Sequence, residues 1–205
     1  MTTDDASPAA AAPRPKRGSY AKGQATRQRI VDEALTVFAR SGFTAGSLRE
    51  IAKRVQLTPA GLLHHFASKE ELFAEVIRQR DEKVRAAAGD PAEHTLIEQA
   101  QKVVAHNQAT RGLTSLYATV SAEATDPQHP SHDEFAGRYR DGAAATAQLL
   151  RTAQAAGEVR ADLDPDAAAR LISAVMDGIQ LQWLLDDDVD MTALFAEFVR
   201  GYLRP

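Results

Sequence analysis

The chain has no cysteine among its 205 residues. Disulfides, thiolate metal sites and a cysteine nucleophile are therefore excluded, and a reducing cytoplasm is the expected setting. No apolar run approaches the ~20 residues that a bilayer crossing requires. Asp4 and Asp5 stand where a secretory leader would carry positive charge. No membrane partner is expected. A glycine-rich phosphate loop is missing, so a nucleotide ligand has no support. A Gly-x-Ser-x-Gly elbow and a HExxH helix are missing too. No cofactor is expected. Alternation of apolar and polar residues, the mark of a half-buried strand, is also absent.

The composition is that of a soluble globular domain, 44% hydrophobic and 25% charged. The net charge of −4 hides an asymmetry. From Arg14 to Lys69 there are eleven Lys and Arg against Asp32, Glu33 and Glu50, a local charge of +8 that leaves −12 for the rest. A basic N-terminal third on an acidic body attracts a polyanion locally. Residues 1–22 carry Pro8, Pro13 and Pro15 and almost no large apolar side chain, and read as a disordered, basic tail.

Everything after the tail reads as helix. Ile30, Val31, Ala34, Leu35 and Phe38 step by three and four, and Gly42 ends that stripe. Ser47 with Glu50 has the spacing of a capping box, and Leu48, Ile51, Ala52 and Val55 follow on one face. Thr58-Pro59 is a hydroxyl cap with proline at the first helical position. Ser68 with Glu71 is a second capping box before Leu72, Phe73, Val76 and Ile77. Further helices are expected to open at Asp90-Pro91, after a break at Gly112, at Ser131 with Glu134, at Asp164-Pro165 and near Met191. The total is about nine helices in an all-α fold.

Only Gln56 and Leu57 separate the second helix from the Thr58 cap. A short helix, a tight turn and another short helix form a helix-turn-helix arrangement, although an ordinary three-helix packing unit has the same spacing. Leu62 and Phe66 join the apolar faces. Thr58, Pro59, Ala60, Gly61, Leu63, His64 and His65 are left for the other faces.

These residues resemble a known family. Arg49-Glu50-Ile51-Ala52, Val55-Gln56-Leu57-Thr58 and Leu62-Leu63-His64-His65-Phe66-Ala67-Ser68-Lys69-Glu70-Glu71-Leu72 are similar to the DNA-binding domain of TetR-family bacterial repressors. The resemblance covers about residues 24–77. It extends loosely to Glu123-Ala124 and to Asp177-Gly178-Ile179-Gln180 with Trp183. It implies a helix-turn-helix domain over residues 23–68 and a helical effector-binding and dimerisation domain over 69–205. Two positions depart from the family's habit: Gln56 stands for the usual glycine, and Leu63 for a phosphate-binding tyrosine. Leu63 cannot donate a hydrogen bond, but it can touch a thymine methyl.

The resemblance implies that Thr58, Pro59, Ala60, Gly61, Leu63 and His64 line the major groove, and that Arg49 reaches a base. Ser47, His65 and Lys69 would hold phosphates. A homodimer would read a palindromic double-stranded operator. The helix from Asp164-Pro165 is apolar on more than one side, and Leu171, Val175, Ile179, Leu194 and Phe198 are the expected dimer interface. The middle helices would hold a small-molecule effector among His106, Asn107, Tyr117, Glu123, Phe135, Tyr139, Gln180 and Trp183. Effector binding would tilt the fourth helix and change the separation of the two heads. His129 and His132 flank Pro130 in a loop, so no metal site is expected there. The competing class is an all-helical small-molecule-binding protein or enzyme with no DNA role; Glu123 near a histidine could do acid–base work there, but no third group can be named.

Overall fold

The computed structural model describes residues 17–205, with side chains from residue 21 onward. Among the described residues every regular element is helical: α1 (Arg17–Ala45), α2 (Leu48–Arg54), α3 (Pro59–Leu63), α4 (Lys69–Ala88), α5 (Leu96–Ala109), α6 (Arg111–Glu123), α7 (His132–Ala155), α8 (Pro165–Leu185) and α9 (Met191–Phe198). The last runs into a wide π turn at Val199–Leu203. The first helix opens at Arg17, so residues 17–22 are helical where a tail was expected. Pro15 is the last proline before it, and no residue after Pro15 in this stretch is barred from the helical region. The remainder of the expected tail lies outside the described residues.

Two cores hold the molecule. The first gathers Ile30, Ala34 and Phe38 of α1, Ile51 and Ala52 of α2, Leu62 of α3 and Leu72, Phe73, Val76 and Ile77 of α4. It also takes Leu116 and Val120 of α6 and Phe135 of α7, so the head shares its core with the body. Phe73 stands edge-on to Phe38 and Phe43, with centroids 5.4 and 5.0 Å apart, and each such pair adds about 1 kcal/mol beyond area burial. The second core joins Ile97 and Val104 of α5, Ala147 and Leu150 of α7, Ile179 and Trp183 of α8, and Met191 and Phe195 of α9.

Local chemistry sets the helix ends. Gly42, at φ 71°, takes the chain out of the helical region inside α1, and the polypeptide makes one more turn to Ala45. The expected Ser47 cap does not form. The Ser47 side chain bonds no backbone amide, and Glu50 turns instead to Arg40 (2.5 Å) and Arg54 (3.3 Å). Thr58 Oγ1 accepts from the Gly61 amide (3.0 Å), and Ser68 Oγ from the Glu71 amide (3.1 Å). The Glu71 carboxylate reaches the Ala67 amide (2.7 Å), one residue beyond the expected box partner.

Three expected boundaries move. Asp90 closes a turn with Ala92 instead of opening α5, which starts from a reciprocal Thr95–Glu98 box. The break before α6 falls at Thr110, whose hydroxyl donates to His106 O (2.7 Å), and Gly112 lies in the first turn of α6. Ser131 makes no side-chain cap on α7; its amide donates to His129 Nδ1 (3.1 Å). Asp164 and Asp190 cap α8 and α9 through their carboxylates.

Candidate nucleic-acid interface and body cavity

The turn between α2 and α3 is built from backbone bonds. Leu57 N donates to Ala52 O (2.9 Å) and Gln56 N to Lys53 O (3.2 Å), the paired pattern that ends a helix through a left-handed residue. That residue is Gln56, at φ 59°, the single non-glycine residue with positive φ among the described residues. A side chain in this region costs roughly 1–2 kcal/mol, which explains why a glycine suits the position.

With Leu62 and Phe66 wholly buried, α3 presents Thr58, Pro59, Ala60, Leu63 and His64 outward. Leu63 is 44% exposed, a large apolar side chain facing out. Gly61 is half-buried, with room for no more than a tight Cβ against Thr58. Ser47 and Arg49 are exposed on the adjoining rim, and Arg49 makes no ion pair among the described residues. His65 is half-buried and its carbonyl accepts from Arg27 Nη1 (2.5 Å), whose guanidinium lies 3.8 Å from the Phe66 ring centroid. Arg27 thus pins the end of α3 to α1, a role that no sequence signal announced.

Much of the basic charge in this third is paired internally. Arg27 faces Glu71, Arg40 faces Glu50, and Arg54 faces both Glu33 and Glu50. The bond from Arg40 holds the Glu50 carboxyl below the usual carboxylate range. Lys69 Nζ donates to Thr44 O (3.1 Å) and lies 4.6 Å from the Phe43 ring centroid. Burial pulls its pKa below the usual lysine value.

In the body, the eight expected effector residues divide. Asn107, Tyr117, Tyr139 and Gln180 line one cavity of about 240 Å³, together with Arg80, Arg138 and Asp177. Tyr139 Oη donates to Asp177 Oδ2 (2.8 Å), and the Arg80 guanidinium lies 4.1 Å from the Tyr117 ring centroid. Burial pushes the Asp177 carboxyl up, and raises both tyrosines as well. Arg138 is held by Asp81. Asp177 had a sequence signal, being the one charged residue between Leu171 and Leu185. Arg80 had none, since it lies beyond the apolar stripe of Leu72, Phe73, Val76 and Ile77, which packs into the first core.

The other four do not line that cavity. Phe135 is buried in the first core, 5.6 Å from the Tyr117 ring. Trp183 is buried in the second core beneath Arg111, which lies 4.8 Å from its ring centroid. His106 has its Nε2 buried without a partner. Glu123 lies at the junction of head and body: its Oε2 accepts from the Phe43 amide (2.7 Å) and stands 3.8 Å from His129 Nε2. For Phe135, Trp183 and Glu123 a neighbour distant in sequence claims the side chain, which helical periodicity does not reveal.

On α8, Leu171, Leu181 and Leu185 are exposed, Leu185 by 81%, and Leu194 of α9 is 40% exposed. Val175 and Phe198 are half-buried, and Ile179 is buried within the chain itself, so its place is in the second core. Leu171, Ala174, Gly178, Leu181 and Leu185 follow an alternating three–four spacing, the seam pattern of paired helices.

A helix-turn-helix with an outward-facing second helix, set on a helical body that carries a cavity, defines a DNA-binding regulator. Comparison with known proteins agrees. Residues 30–76 match the model for bacterial regulatory proteins of the tetR family, and residues 94–199 match the tetracyclin repressor-like C-terminal domain. The chain therefore belongs to the TetR family of DNA-binding transcriptional regulators. It is 29% identical over 191 residues to the HTH-type transcriptional regulator UidR of Escherichia coli K12, covering 88% of this chain and 90% of the relative. It is 29% identical over 187 residues to the A-factor receptor protein of Streptomyces griseus, covering 89% of this chain and 64% of that one. The structure of Salmonella enterica GusR superposes with a TM-score of 0.68 at 27% identity, covering 86% of this chain and 94% of that one. Among the described residues no helix is long and apolar enough to cross a membrane.

Proposed function

We propose that the chain is a homodimeric repressor that binds a near-palindromic operator and is released by a small-molecule effector. The observation that carries this reading is the course of α6. The middle of that helix brings Tyr117 to the cavity, and its C-terminal end brings Glu123 to the Phe43 amide of the head. A ligand that favours one packing of Tyr117 then has a rigid lever on the head, and acts only through its preference between the two states.

In this reading Thr58, Pro59, Ala60, Gly61, Leu63 and His64 enter the major groove and Arg49 reads a base edge, while Ser47, His65 and Lys69 face phosphates. The exposed leucines of α8, with Leu194 of α9, pair with a second copy. Two heads then stand roughly 34–36 Å apart on one face of the duplex. The role is regulatory, not enzymatic, and the setting cytoplasmic.

Selection of bound duplexes from a random pool at near-physiological salt tests the reading. Enrichment of a two-fold motif with half-sites about one turn apart is expected. Folded protein that enriches no sequence would overturn it.

A further inference from the structure

The cavity behind Tyr117 does not end at its polar wall. Val103, Thr146, Ile172 and Met176 line it and also line a second chamber of about 230 Å³. That chamber is walled by Leu96, Ile97, Ala100, Leu149, Phe195 and Leu203, with no ionisable side chain among its lining residues. Two adjoining chambers, one carrying charged groups and the other without them, suit one molecule with two ends. Neither chamber admits a helix, which is about 10–12 Å across with its side chains, so the occupant is a small molecule.

The charges that face the polar chamber decide the head. They come from Arg80 on α4, Arg138 on α7 and Asp177 on α8. Asp81 pairs with both Arg138 and Arg80, and Asp177 supplies the second negative charge, so the two arginines are balanced by two carboxylates. A carboxylate head would meet Asp177. A cationic head would find the Tyr117 face already occupied by the Arg80 guanidinium. Arg80 lines the chamber and gives Nη1 to Asp81, so its five-donor guanidinium keeps further N–H groups for a ligand oxygen. Asp177 accepts from Tyr139 through Oδ2, and its other oxygen can accept from a ligand hydroxyl.

We propose that the effector is an uncharged amphiphile: a head that carries both a hydroxyl and an accepting oxygen fills the polar chamber, and an aliphatic tail fills the apolar one. The proposal rests on the reading of this cavity as the effector site and names its chemistry.

Titration calorimetry of the full chain with butylglycerol, hexylglycerol and octylglycerol tests it, with octanoate and octyltrimethylammonium as charged comparators. Affinity is expected to rise about fourfold for each added methylene, the gain of burying one such group. The charged comparators are expected to bind roughly tenfold or more weakly than octylglycerol, because burying an unmatched charge is costly. Ala100→Phe fills the apolar chamber, and should flatten the chain-length series while sparing butylglycerol. A flat series in the unaltered protein, a comparator that binds more tightly, or no binding of any alkylglycerol would overturn the proposal. None of these titrations needs DNA. Octylglycerol that binds with the expected series yet leaves operator-bound protein in place would overturn the release mechanism and support the pocket chemistry. Release by a charged molecule, with no alkylglycerol bound, would do the reverse.

Discussion

Glu123 Oε2 accepts the Phe43 amide at 2.7 Å, joining the last residue of α6 to the segment that leads from α1 into the helix-turn-helix. The contact spans 80 positions of sequence and ties body to head. His129 closes it from the other side, its ring edge-on to Phe43 at 5.3 Å and its Nε2 facing the same carboxylate oxygen. Gly42 is the residue that makes room, since a Cβ there would drive into the Glu123 carboxylate.

Glu123→Ala removes a charge-assisted bond and leaves the Phe43 amide unpaired. The expected loss of stability is about 1–3 kcal/mol, read by urea unfolding. Faster hydrogen exchange at the Phe43 amide should accompany it. Unchanged exchange there would show that the junction is held by packing alone.

Gln56→Gly should raise stability by about 1 kcal/mol, because glycine adopts positive φ without the steric cost of a Cβ. Thermal unfolding reads this as a rise in Tm of a few degrees. A lower Tm would mean that the Gln56 side chain contributes more than its backbone costs.

Asp177→Asn links the cavity to pH. Burial pushes the Asp177 carboxyl up, so its pKa is higher in the folded chain than in the unfolded one. Stability is then full at acid pH, where the group is protonated in both states. It declines as pH rises through the unfolded value and stays lower above the folded value. Asparagine keeps an acceptor for Tyr139 and does not ionise. The variant should melt above the unaltered protein at neutral pH, and the difference should vanish in acid. An equal difference in a series of buffers across that range would contradict the assignment.

Arg49 and Lys69 should fail in different ways. Arg49→Ala should weaken operator binding by about 1–3 kcal/mol and relax preference at one base pair. Lys69→Ala should weaken all duplexes alike and lower the salt slope by about 1. Competition titrations at several salt concentrations separate the two. Arg49→Ala with uniform weakening would reassign Arg49 to the phosphates.

The features legible in the sequence are those that local chemistry decides. Thr58-Pro59, Ser68 and Asp164-Pro165 mark helix starts that the structure keeps, because a hydroxyl or carboxylate three residues or fewer from a free amide needs no tertiary help. Ser47 shows the limit. Its box partner Glu50 has two arginines within reach, one of them ten residues away, and its carboxylate bonds both in place of the Ser47 amide. The Thr95–Glu98 box is present in the sequence but is masked by the stronger Asp90-Pro91 signal. The cavity is half legible. Tyr117, Tyr139, Gln180 and Asn107 stand beside apolar stripes and line it, but Arg80 comes from a helix whose apolar stripe packs into the first core. Glu123 and Trp183 look alike in the sequence and are claimed by Phe43 and Arg111.

The decisive experiment for a two-headed dimer is the affinity for a selected operator into which half a helical turn has been inserted between the half-sites. Both half-sites remain intact, but they now face opposite sides of the duplex. Affinity is expected to fall to the level of non-specific DNA, and insertion of a full turn to restore part of it. Undiminished affinity after the half-turn insertion would rule out a rigid pair of heads joined through α8 and α9, because such a pair could not follow both half-sites.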